Sequence, residues 1–197
     1  MKKRILLVLK EEFADWEAAY LSSWILELGK ENYVVETVSL NKEPVRSIGG
    51  LQVVPDYGLD EVPEAYEALI LVGGTGWRKP DAEKIAPLVL QCVEKGRVLG
   101  GICDAASFLG TLGVLNTVKH TCNDLRDMEA WAKDAYTGSA LHQKKQAVRD
   151  KKIVTANGTA ALEFAREILF ALDIADEKSI MDSYAFFKNG LYKERRE

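Results

Sequence analysis

"RVLGGICDAASFLG" (residues 97–110) is the stretch that decides the fold. It starts as a short apolar strand, passes Gly100 and Gly101, sets Cys103 beside Asp104, and then becomes helix-like. A residue on such a strand–turn–helix corner is displayed at the top of a sheet, as the nucleophile of many hydrolases is. The helix that follows points its positive end and its free amides at that residue, which favours a thiolate. The competing reading is a small cysteine packed inert at a turn. The two glycines ahead of it, which permit close approach, favour display.

The same alternation recurs on both sides of the corner. "RILLVL" (4–9) is a continuous apolar run, the pattern of a parallel strand buried on both faces. "YVVETVSL" (33–40) and "YEALILVGG" (66–74) predict further strands, and "AVRDKKIVTA" (147–156) a hairpin around Asp150-Lys151. Helices are predicted over 15–29, 81–95, 105–115, 124–133, 159–174 and 176–190. In the first, Trp16, Tyr20, Trp24 and Leu28 recur every four positions as a core-facing stripe, with Gly29 as C-terminal cap. Residues 44–56, which contain Gly49-Gly50, predict a small hairpin or arm. Strands alternating with helices imply a mostly parallel sheet covered on both faces. With no linker or repeat, residues 1–197 read as one doubly wound α/β domain.

Composition narrows the function. At 47% hydrophobic and 28% charged, 197 residues hold a substantial core. A net charge of −4 gives no nucleic-acid signature, and the terminal "YKERRE" reads as a solvated end. No apolar run approaches the roughly 18 residues of a membrane span. The opening "MKKRILLVLK" meets acidic residues at once and lacks a cleavage site, so it reads as a first strand rather than a signal peptide. Three cysteines at unrelated spacings fit a reducing, cytoplasmic compartment. Cys92 sits among apolar helix residues and reads as core. His120-Thr121-Cys122 plus the distant Cys103 is too sparse for a structural zinc, so neither metal nor cofactor is expected.

In doubly wound sheets the chemistry lies beyond the carboxyl ends of the strands. Besides the cysteine corner, two such ends stand out. "KEEFADWE" follows the first strand; acidic residues suit a helix N-terminus, but Glu17 follows Trp16 and is placed to face inward over the strand ends. "VGGTGW" (72–77) is a glycine turn with uncovered amides. It is neither a phosphate loop, for want of Gly-Lys-Ser/Thr, nor a dinucleotide fingerprint. An amide from Gly73–Gly74 together with that of Asp104 would make an oxyanion pocket.

"FADWEAAYL", "ALILVGGTGW", "GGICDAASFLGTLGVLN", "KHTCND" and "TANGTAALEFAREIL" occur in that order over nearly the whole chain. In these pieces the chain resembles the DJ-1/PfpI superfamily, whose domains are flavodoxin-like, class I glutamine-amidotransferase-like sandwiches. The resemblance implies that Cys103 is the reactive elbow cysteine and Glu17 the carboxylate that bonds to it. Gly73, Gly74 and the Asp104 amide would form the oxyanion pocket, with Asn157 of "TANG" on the substrate side. His120 falls where many members carry a histidine near the cysteine; the alternative is a loop histidine fixed by a backbone bond. His142 matches no motif and reads as a surface or hairpin residue. A homodimer is implied, with the aromatic stripe or the terminal "YAFFKNGLY" as its surface unless both bury within the monomer.

The chain also departs from the pattern. Protease-like members carry histidine directly after the cysteine, where this chain has Asp104, and a carboxylate is a poor substitute for imidazole near neutral pH. No later His-x-Glu pair exists, which argues against glutaminase chemistry. Asp104 is free to pair with His120 or, if ionised, to raise the thiol pKa; whether the helix dipole or the carboxylates dominate stays open. The expected function is a cysteine-dependent enzyme acting through Cys103 on a small electrophilic metabolite, amidase/hydrolase- or glyoxalase-like. The alternatives are a stress-related redox sensor in which Cys103 is oxidised without turnover, and a binding scaffold.

Overall fold

The buried apolar runs become strands β1 (Lys3–Val8), β2 (Tyr33–Val38), β5 (Ala68–Leu71), β6 (Val98–Ile102) and β8 (Ile153–Ala156) in the computed structural model, which describes residues 2–192. These five are parallel and lie in the order β2-β1-β5-β6-β8. Numbered along the chain, that order is 2-1-3-4-5, the flavodoxin-like order. β7 (Ala147–Asp150) closes the edge antiparallel to β8 through the expected hairpin, with Lys151 at φ 54° in the turn. The predicted arm is a separate two-stranded ribbon of β3 (Val45–Arg46) and β4 (Gln52–Val53). Among the described residues, no helix is long and apolar enough to cross a membrane.

Helices cover both faces, as a sheet with fully buried central strands requires. On one face α1 (Asp15–Gly29) and α5 (Ala161–Leu172) pack with α6 (Glu177–Asn189) behind them, in a core holding Trp24, Ile25, Phe164 and Ile168. On the other lie α2 (Ala86–Glu94), α3 (Asp104–Thr111) and α4 (Leu125–Ala132), around Trp77, Phe108 and Met128. The predicted helix over 81–95 begins as a 3-10 segment, Pro80–Ile85, before becoming α2. That over 105–115 stops at Thr111.

The aromatic stripe of α1 is the one misphased expectation. Trp24 is buried, but Trp16 is 48% exposed, and the inward face is Glu17, Leu21, Trp24 and Ile25. A strict spacing of four drifts by roughly 40° per step on a 3.6-residue helix, so Trp16, two steps away, leaves the face that Trp24 occupies, while Tyr20 and Leu28 pack at its edges. Tyr20 and Trp24 meet Phe187 of α6 at 5.3 and 5.7 Å between ring centroids, so part of both proposed dimer surfaces packs within the monomer. Phe186 and Tyr192 remain exposed. Of the tail "YKERRE", only Tyr192 lies within the described residues.

Candidate active site

The ends of β5 and β6, the start of α1 and two loops meet at Cys103. β6 delivers Cys103 with φ 61° and ψ −133°, directly before α3, so the chain turns sharply and the side chain stands above the sheet. Its amide donates to the Ala156 carbonyl at 2.9 Å, which ties the corner to the end of β8. The bend is strained for any residue with a Cβ.

α1 contributes Glu17. The Ala14 amide donates to the Gly73 carbonyl at 2.9 Å, locking the start of the helix against the loop after β5. From there Glu17 points inward at 1% exposure, the side chain that sequence phase had singled out. The contact with Cys103 exists because Gly73 and Gly158 have no side chains. A Cβ on Gly73 would lie 2.3 Å from Glu17 Oε2 and 2.5 Å from Cys103 Cβ; one on Gly158 would lie 2.9 Å from Cys103 Sγ and 3.1 Å from Glu17 Oε1.

Asn123 completes the setting. Its Nδ2 donates to Cys103 Sγ at 3.2 Å, and its Oδ1 accepts from the Gly158 amide at 2.8 Å. Trp16, exposed on one side, donates from Nε1 to the Gly158 carbonyl at 3.1 Å and pins the same loop from above. Asn123 and Gly158 lie in the quoted pieces "KHTCND" and "TANGTAALEFAREIL", but nothing in those pieces singles them out. They reach the thiol from loops 20 and 55 residues away, brought in by α4 and β8.

Burial dominates the electrostatics. Both Glu17 oxygens are sealed and meet no donor at full hydrogen-bond geometry, and burial lifts the carboxyl to about 7. The Cys103 thiol and the Gly73 amide pull it down, and the charge of Asp104 adds to the rise. Burial likewise pushes the Cys103 thiol up, joined by the Glu17 charge and more weakly by Asp104, while Asn123 and the Asp104 amide pull it back. Burial and the facing carboxylate thus outweigh the Asn123 and Asp104 amide donors at the thiol. Thiol and carboxyl act as one coupled pair that holds a single proton far better than none.

The other residues singled out from sequence sit apart from the thiol. Asp104 does not pair with His120: its carboxylate takes Arg78 at 3.1 and 3.3 Å, and Arg78 also bonds Asp127 and stacks 4.2 Å over the Trp131 ring. His120 is fully buried. Its Nδ1 lies 2.8 Å from the Val118 carbonyl, which only accepts, so Nδ1 carries the proton and Nε2 accepts from Tyr136 Oη at 2.6 Å. Both nitrogens are taken and neither is offered to Cys103. The Asn157 side chain holds its own loop, donating to Gln146 Oε1 at 2.6 Å and accepting from Thr159 Oγ1 at 2.7 Å. Gly74, at φ 141°, lies against the Glu12 backbone. Cys92 and Cys122 are free and buried, with thiols pushed up to about 11 and about 12. Among the described residues no three His, Cys, Asp or Glu side chains cluster as metal ligands.

Residues 3–171 match the DJ-1/PfpI family profile. The chain is 36% identical over 192 residues to a Bacillus subtilis protein named uncharacterized protease YdeA, covering 95% of this chain and 94% of the relative. It is 26% identical over 176 residues to a glutathione-independent glyoxalase of Caenorhabditis elegans, covering 87% and 90%. The crystal structure of a thiJ/pfpI family protein from Bacillus anthracis superimposes with a TM-score of 0.88 at 32% identity, over 95% of this chain and 91% of that one.

Proposed function

The chain belongs to the DJ-1/PfpI family, and from that premise we propose that it is a cysteine-dependent enzyme whose Cys103 adds to the carbonyl carbon of a small reactive metabolite, a 1,2-dicarbonyl being the best fit. The observation that carries this reading is the sealed Glu17 carboxyl facing the thiol across Gly73 and Gly158. A carboxyl that titrates at about 7 is half ionised at neutral pH and both takes and returns a proton.

Addition of the thiol to an aldehyde needs no leaving group and no imidazole. The S–C bond forms as the S–H proton passes to Glu17, and the carbonyl oxygen, held by the Asp104 amide, collects that proton to give a hemithioacetal. With a ketone next door, Glu17 then moves the former aldehyde C–H proton to the neighbouring carbon, while the hemithioacetal hydroxyl proton passes to the ketone oxygen. The first carbon is thereby oxidised to a thioester and the second reduced to an alcohol, so no outside oxidant is required. Water releases the 2-hydroxy acid and regenerates the thiol. Peptide hydrolysis fits less well, because Asp104 is bound to Arg78 and His120 to Tyr136. The protease name of the Bacillus subtilis relative carries no weight against that arrangement, and the glyoxalase name of the Caenorhabditis elegans relative agrees with it.

The cytoplasm and a homodimer belong to the same reading, the first on three free thiols and the second on family membership. The test is consumption of methylglyoxal against hydrolysis of a small chromogenic amide, in the wild type and in Cys103→Ser. Dicarbonyl turnover that vanishes in Cys103→Ser is the expected result. An unchanged rate in that variant, or turnover of the amide alone, would overturn the reading. If peroxide oxidises Cys103 and neither substrate is turned over, the sensor alternative takes its place.

A further inference from the structure

A cavity of about 780 Å³ opens beside the thiol, on the far side of Asn123, between the start of α4 and the loop that leads into β7. Asn123 is the shared wall: its Nδ2 touches Cys103 Sγ, and the residue also lines the cavity. Three cations line it, Arg126, Lys144 and Lys145, and among the described residues none of them is paired with an acid. The acid in the lining, Asp124, caps α4 by accepting the Asp127 amide on its Oδ1 and keeps its charge, so the three cations outnumber it by two.

One further observation points to a ligand. Leu125 and Arg126, also in the lining, form the first turn of α4, where backbone amides have no acceptor within the helix. A chain of net charge −4 has here set three cations against one acid, together with the free amides of a helix start, in one concave place next to its most exposed thiol.

We propose that this cavity is an anion subsite that binds a carboxylate or phosphate group of the compound Cys103 reacts with, Arg126, Lys144 and Lys145 supplying the charge and Asn123 joining the subsite to the thiol. The substrate class narrows to electrophiles that carry an acid group. Its position beside the reacting group rests on Cys103 being that group, as in the function proposed above.

Competitive alkylation tests this without any known substrate. The rates at which iodoacetate, an anion, and iodoacetamide, its neutral analogue, modify Cys103 are read by mass spectrometry of its peptide. Clefts of one charge sign raise local counter-ion concentration by roughly 10-fold or more, so the iodoacetate-to-iodoacetamide ratio falls about 5-fold or more in the Arg126→Gln/Lys144→Gln/Lys145→Gln variant. The iodoacetamide rate itself stays within about 2-fold, which shows that the fold and the thiol are intact. A control removing three distant cations, Lys30→Gln/Lys42→Gln/Lys178→Gln, lowers net charge equally and leaves the ratio near wild type. An equal ratio in wild type and cavity variant, or an equal fall in the control, overturns the proposal.

Protection against iodoacetate by inorganic phosphate or by succinate then identifies the acid group, and protection by neither also overturns it. A ratio that shifts as expected in a protein without turnover would sink the enzymatic reading and leave the subsite standing. Turnover of neutral dicarbonyls with no anion effect would do the reverse.

Discussion

Replacing Glu17 by Gln should stabilise the protein at alkaline pH and leave it nearly unchanged in acid. A glutamate sealed at 1% exposure holds its proton to about 7 instead of 4.5, because burial penalises the charged form. The raised value fixes the sign. The folded chain binds this proton more tightly than the unfolded chain, so the group's contribution is fully present below pH 4.5 and is lost as pH rises through 7. A displacement from 4.5 to about 7 corresponds to about 3 kcal/mol at 1.36 kcal/mol per pH unit.

Most of that falls between pH 5 and pH 9. Glu17→Gln removes the titration and keeps the shape. Its stability minus that of the wild type should therefore climb by about 2–3 kcal/mol across that window, read as urea midpoints at constant slope. Because the Cys103 thiol is coupled to Glu17, the same pair of proteins is compared in a Cys103→Ser background, where the climb must persist. A difference that stays flat from pH 5 to 9 in both backgrounds would refute the sealed, protonated carboxyl and the proton-transfer role built on it.

Arg78→Met should raise the Cys103 thiol pKa, since Asp104 would then keep an uncompensated charge next to the thiol, and Asp104→Asn should reverse the rise; alkylation rate against pH reads both. Gly73→Ala, whose new methyl would lie 2.5 Å from both Cys103 Cβ and the Ile102 carbonyl, should destabilise by about 1–3 kcal/mol and slow Cys103 alkylation. Normal stability and reactivity in that variant would contradict the close approach. Trp24→Ala should cost about 3–5 kcal/mol in urea unfolding, because Trp24 is buried at the junction of α1 and α6. Trp16→Ala, at an exposed position, should cost far less, and equal losses would restore the four-residue stripe. Sedimentation of the native protein should give twice the chain mass.

The strands and the cysteine corner were legible because continuous apolar runs ended in glycines announce buried parallel strands, and their order along the chain allows few topologies. Glu17 was legible through its place beside the helix stripe, although the stripe itself was out of phase. What sequence could not supply was convergence. Asn123, Gly158 and Arg78 reach Cys103 or Asp104 across 20 to 55 residues through loops whose paths depend on how α3 and α4 pack. His120, set near the thiol by resemblance alone, is held by the Val118 carbonyl and the Tyr136 hydroxyl, the backbone-fixed alternative. Chain proximity ranks candidates, but the donor and acceptor partners of each ring nitrogen decide them.

The backbone at Cys103 has a consequence beyond chemistry. At φ 61° and ψ −133°, a residue with a Cβ is held where glycine alone is at ease, a penalty of about 1–3 kcal/mol. Cys103→Gly should therefore fold more firmly than the natural chain while being inert. Any search that selects variants for thermal endurance alone would drift toward glycine there, and would return sturdier molecules with nothing left to aim.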